Sequence, residues 1–151
     1  MNVETLGFIC ELPVVNRACP EKKGAYFAPS DKCYRAYPRI PKNWRGAKNF
    51  CKLKGGRLAS IHDRATNDHL GSLTDKLMWV GGLKWKNGQW KWNDGSAWDY
   101  ENWGRGQPDN WGPKNQDRLA IGFELPGAFD DDYATEKRIF ICQFEPMDIQ
   151  L

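Results

Sequence analysis

The sequence predicts an α+β domain, and three features of the chain support this fold class. Between residues 44 and 54 the apolar side chains recur at helical spacing, namely Trp44, Ala47, Phe50 and Cys51. Asp63 is a good N-cap for a second helix. Short apolar segments follow at spacings typical of strands, and the last of them, 138–144, alternates Ile139 and Ile141 with Phe140 and Cys142.

Length and composition exclude several classes of partner. A chain of 151 residues is long enough for one domain with a buried core. Its net charge of +3, from 22 basic and 19 acidic residues, is too small to indicate nucleic acid or an anionic membrane. The sequence has no run of about 18 apolar residues, so we expect no membrane insertion.

The two predicted helices have clear boundaries. The first ends at Gly55-Gly56, a common helix stop. The second is expected to run from Asp63 through Leu73, with Asn67 and Asp68 facing outward and Leu70 and Leu73 facing inward. The expected strands are a short one at 57–61, another at 77–81, a hairpin over 85–92 that turns at Asn87-Gly88, a buried strand at 119–123 and the closing strand at 138–144.

A long polar segment lies between the hairpin and the buried strand. From residue 93 to 114 the chain is rich in Gly, Asn, Asp, Pro and Trp, and such a loop inside a compact domain is usually functional. It contains Gln107-Pro108-Asp109, followed by Asn110-Trp111. This group supplies oxygen ligands for Ca²⁺, hydrogen-bonding groups for sugar hydroxyls and a flat apolar face for a sugar ring.

The eight tryptophans are divided between core and surface. We expect Trp79, Trp92 and Trp103 in the core. We expect Trp111 to face a ligand, because a polar, Gly-rich segment cannot bury every indole that it carries.

The five cysteines favour disulfides over zinc, because none has the Cys-x₂-Cys spacing. Residues 19 to 38 are interpreted as a hairpin closed by a Cys19–Cys33 bridge. Cys51 on the first helix could join Cys142 on the last strand. Disulfides imply an oxidising compartment, and hence an extracellular location.

Cys10 is left over, and three interpretations stay open. Phe8-Ile9-Cys10 repeats Phe140-Ile141-Cys142, so the start of the chain could be the tail of a preceding copy in a tandem array. Cys10 could instead form an intermolecular bridge in a homodimer, or stay an unpaired thiol. The predicted boundaries are an N-terminal extension at 1–18, one domain at 19–145 and a C-terminal tail at 146–151.

The order and spacing of many partial motifs identify a family. The chain resembles a C-type lectin domain from about Cys19 to Glu145, through Cys19-Pro20, Cys33-Tyr34, Ala47-x₃-Cys51-x₃-Gly55-Gly56-x-Leu58-Ala59-Ser60-Ile61, Trp79-Val80-Gly81-Gly82, Trp92-x-Asp94-Gly95-Ser96, Asn102-Trp103, the Gln-Pro-Asp loop and Phe140-Ile141-Cys142. The resemblance implies a C-type lectin-like fold, with two helices, small antiparallel sheets and a long calcium-binding loop. It also implies a second inner disulfide, but Arg118 and Ala134 stand at those positions.

The resemblance implies which residues bind the metal and the sugar. In the family the Gln-Pro peptide bond is usually cis. The implied Ca²⁺ ligands are Gln107, Asp109, Gln116, Asp130 and Asp131, and the implied sugar-binding residues are Gln107, Asp109, Trp111, Gln116 and Asp130. The family usually has Glu where this chain has Gln116, and Asn where it has Asp130. The two replacements together keep three negative charges, on Asp109, Asp130 and Asp131. Each pair of an amide and a carboxylate still offers one hydrogen-bond donor and one acceptor. A second, accessory Ca²⁺ could involve Asn115, Gln116 and Asp117.

The leading hypothesis is Ca²⁺-dependent binding of galactose-type glycans by a module of an extracellular protein. Gln-Pro-Asp accompanies galactose-type ligands in the family. The alternative is a calcium-independent domain that binds protein or a mineral or ice surface. Without a metal, Arg118 and Arg138 are the available counter-charges for the Asp130-Asp131-Asp132 run. We expect no enzyme, since no nucleophile–base set, acid–base pair or phosphate loop is evident.

Overall fold

The structure, a computed structural model, describes residues 15–150 and confirms the α+β class. The helices are α1 (Trp44–Leu53) and α2 (Arg64–Gly71). The strands in chain order are β1 (Val15–Ala18), β2 (Ala25–Phe27), β3 (Lys32–Ala36), β4 (Arg57–Leu58), β5 (Met78–Lys84), β6 (Trp90–Trp92), β7 (Arg118–Ile121), β8 (Phe129–Asp132), β9 (Ile139–Phe144) and β10 (Met147–Gln150). No helix in this range is long and apolar enough to cross a bilayer.

Eight strands form one mixed sheet. Their order is β2-β3-β9-β5-β7-β8, with β4 also paired to β9 and β6 to β5. The pairing of β5 with β9 is parallel, whereas the other pairings in this sheet are antiparallel. The predicted antiparallel sheets therefore contain one parallel pairing. It is possible because the long connection between β5 and β9 lets the chain return in the same direction.

Strand β9 is buried on both faces, and so it lies between two apolar clusters. Alternate side chains of a strand point to opposite sides of the sheet. Ile139 and Ile141 pack in one cluster, which also contains Leu70 of α2 and residues of β5, β7 and β8. Phe140 and Cys142 pack in the other, with α1. This central position explains why the closing segment has no polar face.

Both predicted disulfides of the hairpin and core are present. Cys51 of α1 is bonded to Cys142 of β9, and both are fully buried. Cys19 is bonded to Cys33 of β3, which forms a hairpin with β2. Helix α1 has Asn43 as its N-cap, because Asn43 Oδ1 accepts a hydrogen bond of 2.8 Å from the Gly46 N–H.

The prediction for α2 is partly wrong. Asp63 is the N-cap, and its carboxylate accepts 2.7 Å from the Thr66 N–H, but the helix ends at Gly71 rather than Leu73. Asn67 does not face outward, because it is 1% exposed. Its side chain donates to the Gly127 carbonyl at 2.9 Å and accepts from Asn102 Nδ2 at 2.6 Å. A buried amide thus ties the start of the long loop to α2, a tertiary role that helical spacing cannot reveal.

Strands β1 and β10 form a separate antiparallel pair that the sequence pattern did not show. They lie in the segments predicted as N-terminal extension and C-terminal tail, and Ala18 stands opposite Met147. Arg17 forms ion pairs with Asp31, at 2.9 Å, and with Asp148. Strand β1 has no apolar alternation, and the alternation of Met147 and Ile149 in β10 covers only four residues. Cys10 lies outside the described residues.

Candidate functional site

The predicted site residues come from two parts of the fold. Gln107, Asp109, Trp111 and Gln116 lie in the loop between β6 and β7, whereas Asp130 and Asp131 lie in β8. The loop runs beside β8, because the Phe129 N–H donates to the Asn102 carbonyl and the Gly104 N–H donates to the Phe129 carbonyl, each at 2.8 Å. This pairing brings the two sets of side chains to the same edge of the sheet.

Asp131 anchors the tip of the loop. Its side chain is 1% exposed, and its two carboxylate oxygens accept hydrogen bonds from the backbone N–H groups of Asp109, at 3.2 Å, and Asn110, at 2.7 Å. A carboxylate in contact with two N–H donors is well solvated by the protein itself. Asp131 therefore holds the Gln-Pro-Asp segment against β8.

Gln116 closes the loop from the other side. Its Oε1 accepts from the Trp111 N–H at 2.9 Å, and its own N–H donates to Asn110 Oδ1 at 2.8 Å. Asp109 Oδ1 also accepts from the Trp111 N–H, at 3.1 Å. The side chain of Asn110 was not among the predicted site residues, and this structure shows that it bridges the two ends of the tip.

Gln107 contributes an oxygen that has no partner. The Gln107–Pro108 peptide bond is cis. The Nε2 of Gln107 donates a long hydrogen bond of 3.4 Å to Asp109 Oδ2. Its Oε1 is buried and accepts no hydrogen bond from the described residues. Such an acceptor is costly unless water or a ligand satisfies it.

Asp130 is surrounded by like charges. Its pKa is raised to about 7, chiefly by burial and then by repulsion from Asp131, Asp132 and Asp109, while Arg138 acts in the opposite direction. Arg138 forms an ion pair with Asp132. The predicted counter-charge role is therefore filled by Arg138. Arg118 instead pairs with Asp117, at 3.0 Å.

Trp111 presents its indole to solvent. The side chain is 72% exposed, whereas Trp79 and Trp92 are buried and Trp103 is half-buried. The Tyr133 hydroxyl donates to the Trp111 carbonyl and so helps to hold the backbone of Trp111 in place. Sequence reasoning missed Tyr133, because nothing in the local pattern links it to a loop 22 residues earlier in the chain.

Gly112 is required beside Trp111. Its φ is +97°, and a Cβ at this position would lie 1.7 Å from the Tyr133 hydroxyl oxygen. A side chain here would displace either the loop or Tyr133. The orientation of Trp111 therefore depends on a glycine that follows it directly.

The oxygen ligands predicted for a metal are near one another but are partly engaged. Among residues 15–150 no three His, Cys, Asp or Glu side chains are grouped closely enough to hold a metal ion. The amides Gln107 and Gln116 add oxygens of the kind that Ca²⁺ accepts. A carboxylate offers roughly four acceptor positions, so Asp131 keeps free ones after its two backbone contacts. The donor set thus has the chemistry for Ca²⁺.

The accessory site has weaker geometry. Asp117 is engaged by Arg118, at 3.0 Å, and its backbone carbonyl accepts from the Lys84 N–H at 2.9 Å. Asn115 is exposed. The accessory Ca²⁺ stays a prediction that these contacts do not favour.

Comparison with known proteins gives the family. The family model of the lectin C-type domain matches residues 40–144. A lectin of Pleurodeles waltl is 35% identical over 138 residues, which cover 83% of this chain and 80% of the relative. The galactose-specific lectin nattectin of Thalassophryne nattereri is 34% identical over 119 residues, or 74% of this chain and 72% of the relative.

Solved structures agree with the sequence relatives. The mouse scavenger receptor C-type lectin carbohydrate-recognition domain superposes with a TM-score of 0.73 at 31% identity, covering 83% of this chain and 96% of that domain. The expected C-type lectin-like fold is therefore confirmed. The chain belongs to the C-type lectin domain family, whose members bind carbohydrate or protein and are not enzymes.

Proposed function

We propose that this domain binds galactose-type glycans through one Ca²⁺ ion held by Gln107, Asp109, Gln116, Asp130 and Asp131. The observation that carries the proposal is the buried, unpartnered Oε1 of Gln107 beside crowded carboxylates. A divalent cation would satisfy the amide oxygen and would offset the burial and the carboxylate repulsion that together raise the pKa of Asp130.

The residues around the ion have the hydrogen-bonding capacity that a sugar diol needs. A bound Ca²⁺ would supply coordination to two neighbouring hydroxyls. Gln107 and Gln116 carry amide groups that donate, and Asp109 and Asp130 carry carboxylates that accept. Each hydroxyl can therefore donate to one residue and accept from another.

Three observations favour galactose-type ligands. The Gln107-Pro108-Asp109 order is the one that the family resemblance associates with galactose, and nattectin, at 34% identity, is named a galactose-specific lectin. Trp111 is 72% exposed at the same tip and offers a flat apolar surface for the apolar face of a galactose ring.

We propose an extracellular location and weak binding of single sugars. The two disulfides require an oxidising compartment to form and persist. A shallow polar site buries little area, so useful avidity would come from several copies. A homodimer or a tandem array through or near Cys10 is one way to provide them.

The test is a calorimetric titration of Ca²⁺ with and without galactose. We expect Ca²⁺ to bind first and galactose only afterwards. Asp130→Ala should abolish both, whereas Asp75→Ala, the same change at an exposed carboxylate in the connection between α2 and β5, should abolish neither. Galactose binding that persists in a chelator would contradict the proposal.

One observation favours the alternative of a calcium-independent domain. Asp131 and Gln116 already accept hydrogen bonds from the loop backbone, so these contacts order the loop without a metal ion. Absence of Ca²⁺ binding to the wild-type protein in the same titration would favour this alternative, in which the partner is a protein or a mineral or ice surface.

A further inference from the structure

A cavity lies at the start of α1, where Asn43, Trp44 and Arg45 line it. Its volume is about 340 Å³, at the small end of the roughly 300–1,000 Å³ range of ligand pockets. Arg118 and Ala134 both line it. These are the two positions where the family resemblance implies a disulfide, so the cavity occupies the place of the lost bridge.

The side chains around this cavity are strongly basic. Arg45, Lys48 and Arg118 line it, and no acidic side chain of residues 15–150 does. Arg118 shares its charge with Asp117, at 3.0 Å, but neither Arg45 nor Lys48 forms an ion pair within residues 15–150. Three cations with one counter-ion repel one another, and an anion in the cavity would relieve that repulsion.

Arg118 and Lys48 converge on one buried aromatic ring. The guanidinium carbon of Arg118 lies 4.7 Å from the ring centroid of Trp44, and the ammonium nitrogen of Lys48 lies 5.9 Å from it. Trp44 is itself anchored, because its Nε1 donates to the Val80 carbonyl at 2.9 Å. The two cations are thus positioned by a rigid part of the core.

Two polar atoms of the lining residues have no hydrogen-bond partner in the described part of the chain. The Nε of Arg118 is a buried donor, and the Oδ1 of Asn93 is a buried acceptor, and neither is hydrogen-bonded to any described residue. The cavity also adjoins the first turn of α1, a helix of ten residues, and the positive end of a helix favours an anion. The environment therefore suits a ligand with an anionic group and a nearby hydroxyl.

We propose that this cavity binds the oxyanion of an acidic saccharide unit, a sulfate ester or a carboxylate with adjacent hydroxyls, and does so without calcium. Arg45, Lys48 and Arg118 bind the oxyanion, and Asn93 accepts from a hydroxyl. The proposal does not rest on the function proposed for the Gln-Pro-Asp loop, although Asn93 begins that loop and Arg118 begins the strand that follows it.

The test is a nitrogen–proton NMR titration in EDTA, at ionic strength held constant with sodium chloride. The probes are galactose 6-sulfate, glucuronate, inorganic sulfate and unmodified galactose. We expect saturable shifts of resonances around Arg45, Lys48 and Arg118 with the first two probes and none with galactose. The acidic sugar that binds more tightly shows whether the cavity prefers a sulfate ester or a carboxylate.

Variants separate the site from general basic charge. Lys48→Met should weaken binding of the acidic sugar at least tenfold, whereas Lys52→Met, on the same helix but outside the cavity, should leave it unchanged. Arg118→Met should act as Lys48→Met does. Lys48 is only partly buried, so its variant is expected to fold, which an unchanged melting temperature would show.

Three results would overturn the proposal. One is a shift that grows linearly with probe and does not saturate. Another is equal binding by the Lys48→Met and Lys52→Met variants. The third is saturable binding of inorganic sulfate with no binding of either acidic sugar, which would show that the cavity does not recognise a saccharide unit. Since every titration is done in a chelator, these failures are distinct from a failure of the calcium-dependent function.

Discussion

Asp131 of β8 accepts a 2.7 Å hydrogen bond from the backbone N–H of Asn110 at the loop tip. The same carboxylate accepts from the Asp109 N–H, so one buried side chain holds two successive peptide groups of the Gln-Pro-Asp segment. A residue predicted as a metal ligand thus also binds the backbone of the loop tip. Its removal should affect loop order as well as ion binding.

Replacing Asp131 with Ala should loosen the tip. Two backbone N–H groups lose their acceptor, and each loss costs roughly 1–3 kcal/mol where the group stays buried. We expect faster hydrogen exchange at the amides of Asp109 and Asn110, measured by NMR in EDTA. Asp75→Ala should not change that exchange. Unchanged exchange in Asp131→Ala would mean that other contacts order the loop.

The stability of the calcium-free protein should fall as the pH rises toward neutrality. The pKa of Asp130 is raised to about 7 from an ordinary value of 3.8, so the folded state favours the protonated form. The stabilising effect is complete below the unfolded pKa and is lost as the pH rises through the folded pKa. Melting temperatures in EDTA between about pH 4 and pH 8 measure this slope, which is set by those two pKa values.

The variant Asp130→Asn serves as the reference for that slope. It cannot ionise, so its melting temperature should change less between these pH values than that of the wild type. Saturating Ca²⁺ should restore the wild-type stability near neutral pH if the proposed site exists. Parallel curves for the two proteins would show that Asp130 does not titrate in this range.

Trp111→Ala should weaken sugar binding without affecting the fold. The indole is 72% exposed, so its removal leaves no cavity, and the lost stacking is expected to cost about 1 kcal/mol, roughly fivefold in affinity. Calcium affinity should be unchanged. Trp85→Ala, at an indole that is 53% exposed on the hairpin, is the matched control and should bind galactose normally.

The two natural disulfides should contribute unequally to stability. In the chain-entropy model a bridge over 91 residues, Cys51–Cys142, stabilises by roughly 4–5 kcal/mol, and one over 14 residues, Cys19–Cys33, by about 3 kcal/mol. The double Cys→Ser variant of each pair, compared by urea unfolding, measures both values. A smaller loss for the Cys51–Cys142 pair would contradict the expectation.

Restoring the family's second bridge should stabilise the fold. The double variant Arg118→Cys, Ala134→Cys would close a loop of similar length to that of Cys19–Cys33 and add about 3 kcal/mol. Loss of two free thiols, compared with each single variant, shows that the bridge has formed. If the bridge forms, binding of acidic sugars to the cavity beside α1 should disappear, because it removes Arg118.

Local patterns predicted α1, the start of α2, the closing strand and the Cys19–Cys33 bridge, and the positions of α1 and the closing strand allowed the Cys51–Cys142 bridge. These patterns failed for Asn67, for the end of α2 and for the β1–β10 pair. Helical spacing places Asn67 on one face of α2, but it cannot predict the hydrogen bonds of its buried amide to Asn102 and Gly127, because these residues lie far away in the chain. Strands β1 and β10 are held by their backbone pairing and by the ion pair of Arg17 with Asp148, and the residues of β1 show no strand pattern by themselves.

The sequence by itself determined the family, the fold class and the identity of the oxygen-bearing side chains, because motif order and residue type are properties of the chain. Only the tertiary structure decided how those side chains are used: Asp131 and Gln116 bind the loop backbone, Gln107 keeps an oxygen free, and Arg138 rather than Arg118 neutralises Asp132. Hydrogen-bond partners and charge pairs join residues far apart in the chain, and so they exist only once β8 and the loop lie side by side.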